Sequence, residues 1–199
     1  MPKLEIGLIQ IYTGNSKGKT TASLGLAFRA LGHGLKVAMV QFMKGSDYYG
    51  ELHAAERFSP NFEIFQYGRT CQKSCLMRQG LETCDGCGQC FVLKGEETDF
   101  DIRTTKMAWD KAKFLISSGD YDIVILDELL NAVSDYFSLL AVEPVAEFLK
   151  HSKPKNVEVI LTGRNAPSEL VEIADLVTEM KQIKHPYEKG IPARWGIEY

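Results

Sequence analysis

The sequence predicts an α/β protein with a mostly parallel sheet and helices on both faces, and three observations support this. First, a β-branched and aliphatic run at residues 4–11 leads through a glycine-rich turn into a helical pattern at 22–31. Second, the apolar run at 36–42 completes a strand–helix–strand unit, whose handedness favours parallel strands. Third, the apolar run at 121–126 ends in two carboxylates, the position where open α/β sheets place ligands.

The remaining elements follow from periodicity and from chain breakers. Strands are predicted at residues 62–67, 157–162 and 176–180. Helices are predicted at residues 50–58, 98–117, 129–137, 143–151 and 168–174. Between them, residues 69–97 are dominated by glycine, cysteine and polar side chains, so we predict a loop-like insertion there.

Composition and charge exclude several classes of protein. With 199 residues, 45% of them hydrophobic and 25% charged, the chain can bury a full core, and we expect one domain over residues 1–199. No apolar run approaches the length of a bilayer span, and the predicted first strand begins too early to leave room for a signal peptide. We therefore expect a cytoplasmic protein without a membrane partner.

The net charge of −3 provides no general basic field for nucleic acid, so no nucleic-acid partner is expected. Basic residues instead concentrate around the glycine-rich turn. They are Lys17, Lys19, Arg29 and Lys44. This distribution favours a small anionic ligand.

The glycine-rich turn at residues 12–21 has the features of a phosphate-binding loop. Its glycines let several backbone N–H groups and the start of the following helix converge on one anion. Lys19 would reach the outer phosphates, and the Thr20 hydroxyl would bind Mg²⁺. Only three residues separate Gly14 from Gly18, one fewer than in the usual Gly-x-x-x-x-Gly-Lys pattern.

Asp127 and Glu128 close the apolar run at 121–126. Alone, such a pair is commonly a helix N-cap. Together with the phosphate loop it predicts a Walker B arrangement, in which one acid holds Mg²⁺ or its water and the other lies near the reacting phosphate. The two motifs predict a P-loop NTPase-like (RecA-like) fold.

Several motifs together resemble the P-loop class of ATP:corrinoid adenosyltransferases. Besides the phosphate loop, they are Arg29-Ala30-Leu31-Gly32-His33-Gly34, Gln41-Phe42-Met43-Lys44-Gly45, Asp127-Glu128-Leu129 and Thr162-Gly163-Arg164-Asn165-Ala166-Pro167. The tail adds Ala174-Asp175-Leu176-Val177-Thr178-Glu179-Met180, Lys184-His185-Pro186, Gly190-Ile191 and Gly196-Ile197-Glu198. Members of this class also share the shortened loop.

The resemblance implies an activity: transfer of the 5′-deoxyadenosyl group of ATP to the cobalt(I) of a corrinoid, with release of triphosphate. It implies that ATP lies reversed relative to ordinary P-loop enzymes, so that its 5′ carbon faces the corrin. Cobalt(I) is itself the nucleophile, so the protein must orient the ribose carbon and stabilise a polyanionic leaving group. Lys19, Thr20 and Glu128 are the expected catalytic residues, with Mg²⁺ held by Thr20 and by Asp127 or Glu128.

The resemblance also implies a set of nucleotide or corrinoid contacts. The expected residues are Gly14, Asn15, Ser16, Lys17, Gly18, Lys19, Thr20, Thr21, Arg29, Lys44, Arg164 and His185. For His185, a structural histidine beside a proline turn is an equal alternative. The expected partners are ATP, a reduced corrinoid, an electron-donating reductase and a second copy of the chain. Members of the class often begin with an arm over the active site, whereas here the predicted first strand starts at residue 4.

The insertion carries the five cysteines, which are Cys71, Cys75, Cys84, Cys87 and Cys90. An odd number cannot all pair within one chain, and disulfides are unusual in a reducing compartment, so metal binding is the expected role. The Cys-x2-Cys-x2-Cys spacing suits Zn²⁺ or an iron–sulfur cluster held by four of the five, with redox-active thiols as the remaining alternative. The insertion falls where the resembling class carries an aromatic segment on the corrinoid side.

Two other functions remain open at this level. One is a P-loop ATPase or kinase in which Glu128 activates water or an acceptor hydroxyl for attack on the γ-phosphate. The other is a nonenzymatic binding module that responds to ATP and metal. Product analysis separates them, because the transferase releases triphosphate, the ATPase or kinase forms ADP, and the module does not turn over.

Overall fold

A six-stranded sheet forms the centre of the protein in the computed structural model, which describes residues 4–199. The strands are β1 Ile9–Thr13, β2 Val37–Phe42, β3 Phe62–Tyr67, β4 Ile123–Asp127, β5 Glu158–Thr162 and β6 Leu176–Glu179. Their order is β3-β2-β4-β5-β1-β6, and every described pairing is parallel. The predicted α/β fold with a mostly parallel sheet is confirmed. The predicted domain over residues 1–199 includes three N-terminal residues that lie outside the described part of the chain.

Seven α-helices accompany the sheet within residues 4–199. They are α1 Lys19–Gly32, α2 Gly50–Phe58, α3 Ser74–Arg78, α4 Asp99–Ser118, α5 Leu129–Val133, α6 Val142–His151 and α7 Ser168–Ile173, with a 3-10 helix at Pro186–Lys189. Local chemistry sets their ends. At the start of α4, Thr98 and Asp101 form a reciprocal capping box, and at its end Gly119 adopts a left-handed φ of 74°.

Helices cover both faces of the sheet, as predicted, because alternate residues of the buried strands point to opposite sides. On one face, Val40 and Leu126 pack among residues of α4, α5, α6 and α7. On the other face, Met39 and Ile125 pack against α1 and α2. The central strands β2, β4 and β5 are buried along their whole length. The centre of the sheet is therefore enclosed, whereas the edge strand β6 is exposed, and the loops converge at the carboxyl ends of the strands.

Three sequence predictions need correction. The first strand begins at Ile9 rather than residue 4, because Gly7 lies in close contact with the Val157 backbone instead of continuing the ladder. The fifth helix ends at Val133 rather than residue 137, since Ser134 turns to an extended conformation with ψ of 155°. The segment 69–97 is not wholly loop, because it contains α3.

Across the described residues, no helix combines the length and the apolar character that crossing a membrane requires.

Candidate active site

The carboxyl ends of the strands open into a large cavity of about 1370 Å³. Its walls come from the phosphate loop, from the residues that follow β2, β4 and β5, from the Cys-rich segment and from the C-terminal tail. Polar and charged groups lie at the loop side. Apolar and aromatic side chains also line the cavity, among them Phe91, Leu93, Tyr136 and Phe137.

The phosphate loop is supported by the end of β6. Gly14 has a φ of 104°, and a Cβ at this position would approach the Met180 carbonyl oxygen to 2.4 Å. The Ser16 backbone N–H donates to the same carbonyl at 3.2 Å. Only glycine fits at residue 14, because the φ is left-handed and the neighbouring atoms belong to backbone. The last strand thereby fixes the shape of the loop.

Lys19 lies inside the loop that precedes it. Its ammonium donates to the carbonyl oxygens of Gly14 and Ser16, both at 2.7 Å. Burial lowers the pKa of Lys19, although the charge of Glu128 opposes that shift. The residue is 6% exposed, so its positive charge is only weakly compensated by water. A polyanion at the loop would supply the missing counter-charge.

The fully buried Asp127 is the centre of a polar network at the end of β4. Its Oδ1 accepts hydrogen bonds from the Thr20 hydroxyl at 2.8 Å and from the Thr162 hydroxyl at 2.7 Å. Its Oδ2 accepts from the Lys44 ammonium at 2.7 Å and from the Gln41 amide at 3.3 Å. Burial acts to raise the pKa of Asp127, but the charge and hydrogen bond of Lys44 outweigh it and leave the pKa lowered.

Glu128 occupies a strained backbone position that turns its side chain toward the cavity. Its φ is 63°, a left-handed value that is uncommon for residues other than glycine. The Glu128 N–H donates to the Thr162 hydroxyl at 2.9 Å, and the carboxylate accepts from the Asn131 amide. Burial and the nearby charge of Asp127 raise the pKa of Glu128. A buried carboxylate with this environment favours a proton or a bound cation.

Most of the sequence-predicted contact residues line the cavity. They are Asn15, Ser16, Lys17, Gly18, Lys19, Thr20, Thr21, Lys44, Glu128, Arg164 and His185. Gly14 does not line it but shapes the loop from behind. Asp127 lies beneath the floor, where its four donors enclose it. Arg29 is exposed on α1 on the side of Tyr12, outside the cavity wall.

Three residues that matter to this geometry were missing from the predicted set. Asn131 bridges Glu128 and the loop after β5, since its side-chain oxygen also accepts from the Arg164 N–H. Thr162 joins Asp127 to the Glu128 backbone, and Gln41 lies fully buried in β2. Gln41 carried a sequence signal, because an amide inside an otherwise apolar strand requires a buried partner. Asn131 carried none, since an asparagine in a helix is unremarkable.

The C-terminal tail closes part of the cavity mouth. Glu198 forms an ion pair with Lys17, with Nζ and Oε1 2.7 Å apart. Arg194 and Lys17 together lower the pKa of Glu198 to about 2. The Tyr199 ring packs edge-on against Tyr48, with ring centroids 5.5 Å apart. The tail is thus held against both the phosphate loop and the loop after β2.

The family model described as ATP:corrinoid adenosyltransferase BtuR/CobO/CobP matches residues 5–199. The chain belongs to this family. A corrinoid adenosyltransferase of Sinorhizobium sp is 39% identical over 195 residues, covering 98% of this chain and 81% of the relative. The corrinoid adenosyltransferase of Escherichia coli (strain K12) is 33% identical, with 98% and 87% coverage. Corrinoid adenosyltransferase CobA of Salmonella typhimurium (strain LT2) is 32% identical, with the same coverage.

His185 combines features of both of its predicted roles. It lines the cavity, and its Nδ1 accepts a hydrogen bond from the Tyr187 N–H at 3.1 Å. That bond caps the 3-10 helix at Pro186–Lys189. The capping bond fixes the ring, so the structure gives His185 at least the structural role.

The five cysteines are free thiols in the structure. Cys90 is buried at the cavity wall, Cys71 is half-buried, and Cys75, Cys84 and Cys87 are exposed. Over residues 4–199, no three His, Cys, Asp or Glu side chains are gathered closely enough to hold a metal ion. The predicted four-thiolate site is therefore not assembled in this conformation, in which residues 84–87 lie open to solvent.

Proposed function

We propose that this family member transfers the 5′-deoxyadenosyl group of ATP to the cobalt(I) of a corrinoid and releases triphosphate. The observation that carries the proposal is the cavity itself. Its volume of about 1370 Å³ exceeds the roughly 300–1,000 Å³ typical of small-molecule pockets. Its lining combines the phosphate loop with apolar and aromatic side chains, as a site for ATP together with a corrin ring requires.

The loop side of the cavity suits a polyanionic leaving group. Lys17, Lys19, Lys44 and Arg164 contribute cations, and the loop amides and the start of α1 add oriented N–H groups. Triphosphate gains negative charge as the carbon–oxygen bond to the ribose breaks. Fixed positive groups that face this charge stabilise the transition state more than the ground state. Because the attacking cobalt brings its own electron pair, the protein needs no general base.

The donor set fits Mg²⁺ as a cofactor. The Thr20 hydroxyl donates a hydrogen bond to Asp127, which leaves the lone pairs of the Thr20 oxygen available to a cation. The Glu128 carboxylate lines the cavity, and burial and the charge of Asp127 raise its pKa, so a cation bound beside it would be favourable. Thr20 and Glu128 would hold the ion directly, and Asp127 would orient Thr20. When bound, Mg²⁺ neutralises charge on the phosphate oxygens.

The proposal also covers the acceptor, the electron donor, the oligomeric state and the orientation of ATP. We infer that cob(I)alamin or a closely related corrinoid accepts the adenosyl group, that an electron-donating reductase supplies the cobalt(I) state, and that the protein acts as a cytoplasmic homodimer. ATP lies with its phosphates in the loop and its ribose 5′ carbon toward the apolar wall. The apolar and aromatic residues that line the same cavity, among them Phe91, Leu93, Tyr136 and Phe137, support this orientation.

An anaerobic assay with ATP, Mg²⁺ and chemically reduced cobalamin tests the function. The expected products are triphosphate and a corrinoid whose spectrum shows a cobalt–carbon bond. Lys19→Ala removes a buried positive charge that would stabilise the leaving triphosphate. It should raise the activation free energy of transfer by about 3 kcal/mol, which slows transfer roughly 100-fold. Lys36→Ala, which removes an exposed lysine outside the cavity, is the matched control.

The same assay separates the other functions. ADP and orthophosphate in place of triphosphate would assign the site to γ-phosphate chemistry. ATP binding without any product would assign it to a binding module. Unchanged transfer in Lys19→Ala would remove the phosphate loop from the reaction.

A further inference from the structure

The outer face of α4 carries a line of exposed apolar side chains. Phe100, Met107 and Phe114 keep 46%, 57% and 61% of their surface open to solvent. They are spaced seven residues apart, which is about two helical turns, so they lie along a single line of the helix surface. We call these three residues the α4 stripe. Single exposed apolar residues are common on proteins, but a continuous apolar patch marks an interaction surface.

The rest of the fold does not cover the α4 stripe. The opposite face of the helix makes the core contacts, where Trp109 meets the Phe148 ring edge-on with centroids 5.5 Å apart. Beside the stripe, the Lys111 ammonium lies 4.0 Å from the centroid of the Phe65 ring in β3 and 5.4 Å from that of Phe114. Lys111 therefore turns toward the edge of the sheet and leaves the outer side of Phe114 open.

The α4 stripe is symmetric about its middle residue. Phe100 and Phe114 each lie seven residues from Met107. A second copy of α4 that runs antiparallel, with a two-fold axis beside Met107, sets Met107 against the partner's Met107. The same axis sets Phe100 against the partner's Phe114, and Phe114 against the partner's Phe100. All three apolar side chains are then covered by their own equivalents.

Two opposite charges beside the α4 stripe fit the same symmetry. Arg103 lies four residues before Met107 and Asp110 three residues after it, and both are exposed. At about 100° per residue, they lie on the same flank of the stripe, roughly 40° and 60° from Met107. The two-fold axis brings the partner's Asp110 to within about 1.5 Å of Arg103 along the helix axis. Each copy therefore gains an oppositely charged neighbour.

The other charges nearby are compatible with this pairing. Lys111 lies on the opposite flank, where the uncharged Thr104 of the partner would be at a similar height. Asp110 already pairs with Lys113 of its own helix at 2.9 Å. A carboxylate has two acceptor oxygens, so Asp110 can accept from Lys113 and from the partner's Arg103 together.

We propose that the α4 stripe is an interface between two copies of this chain, packed as an antiparallel pair of α4 helices with two-fold symmetry at Met107. The proposal rests on the homodimer inferred above and assigns it a surface, and it is independent of the transfer reaction because the stripe lies outside the cavity lining. One helix pair buries less than the roughly 800 Å² per partner of a standard interface, so the dimer should dissociate on dilution.

Sedimentation velocity of the full chain over a range of concentrations tests the interface. The wild type should show a monomer–dimer equilibrium. Met107→Lys should weaken association at least about tenfold, because it brings two like charges together at the centre of the contact. Ile102→Lys is the matched control, since Ile102 is an apolar residue of the same helix, 44% exposed, and lies about 140° around the helix from Met107. Far-UV circular dichroism checks that each variant is folded.

A charge exchange tests the symmetry itself. Arg103→Asp and Asp110→Arg should each weaken association, because each sets like charges against one another across the two-fold axis. The double variant Arg103→Asp/Asp110→Arg restores opposite charges and should associate within about threefold of the wild type. A double variant that associates no better than the single variants would overturn the proposed pairing.

Two other results would overturn the interface. A wild type that stays monomeric up to about 100 μM would mean that a different partner covers the α4 stripe. Equal dimerisation of the wild type and Met107→Lys would place the dimer contact on another face. Sedimentation requires neither ATP nor a corrinoid, so failure of this proposal is distinguishable from failure of the proposed transfer reaction.

Discussion

Replacing Lys44 with methionine tests the buried network beneath the active site. The change removes the cation 2.7 Å from Asp127 but keeps most of the aliphatic stem. Asp127 is fully buried, and breaking a buried ion pair by removing one partner costs about 3–5 kcal/mol. Because the hydroxyls of Thr20 and Thr162 still donate to Asp127, we expect the lower end, about 3 kcal/mol. At a urea m-value of about 2 kcal/mol/M, the midpoint falls by roughly 1.5 M.

The stability lost in Lys44→Met should depend on pH in a defined direction. In the wild type the pKa of Asp127 is lowered, so the stability that its ion pair contributes is present above the ordinary aspartate pKa and is lost as pH falls through the lowered value. Without Lys44, burial dominates and the pKa of Asp127 rises. The carboxyl then takes up a proton in mild acid, and the difference between wild type and variant shrinks from about pH 8 to about pH 5.

Urea denaturation followed by circular dichroism at both pH values measures this effect. Lys36→Met is the control, because it removes an equal charge from an exposed position. The double variant Lys44→Met/Asp127→Asn should recover part of the lost stability, since it removes the unpaired charge. A midpoint shift in Lys44→Met no larger than that in Lys36→Met, or one independent of pH, would refute this account of the network.

Three further predictions address the phosphate loop and Glu128. Gly14→Ala should abolish ATP binding measured by calorimetry, because its Cβ would meet the Met180 backbone, whereas Gly25→Ala in α1 has open space and should bind ATP normally. Asn131→Ala should lower kcat for adenosyl transfer about tenfold with a smaller change in the KM for ATP, since Glu128 loses its partner; an unchanged kcat would contradict this. Glu128→Gln should slow transfer yet raise stability by about 1 kcal/mol near pH 8, because the raised pKa of Glu128 makes its ionised form destabilising there; a fall in the urea midpoint would contradict this.

Much of the fold was predictable because the central strands of the sheet are buried on both faces. Strands β2, β4 and β5 are apolar runs, and the helices between them carry helical periodicity with recognisable ends. The predicted ends of strands and helices were wrong where tertiary contacts override the local sequence pattern. Gly7 leaves the predicted strand because it packs on Val157, and Ser134 ends α5 with an extended backbone that no local residue pattern required.

The site was predictable in its motifs but not in its connections. The phosphate loop and the acidic pair lie together as expected, because parallel strands end at the same edge. The sequence did not show which of the two carboxylates is enclosed and which lines the cavity, since this depends on the hydrogen bonds that Thr162 and Lys44 donate to Asp127. The placement of Arg29 outside the wall also depends on the rotation of α1, which the sequence pattern does not set precisely.

The ion pair between Lys17 and Glu198 has a consequence for the entry and release of ligands at the active site. The Lys17 ammonium cannot pair fully with a triphosphate and with Glu198 at the same time. A triphosphate that attracts Lys17 would therefore weaken the ion pair that holds the C-terminal residues in place. Nucleotide arrival would loosen the tail at the moment when a bulky second substrate needs a wider entrance. Departure of triphosphate would restore the ion pair, and the opening and closing of the mouth would follow the charge in the loop.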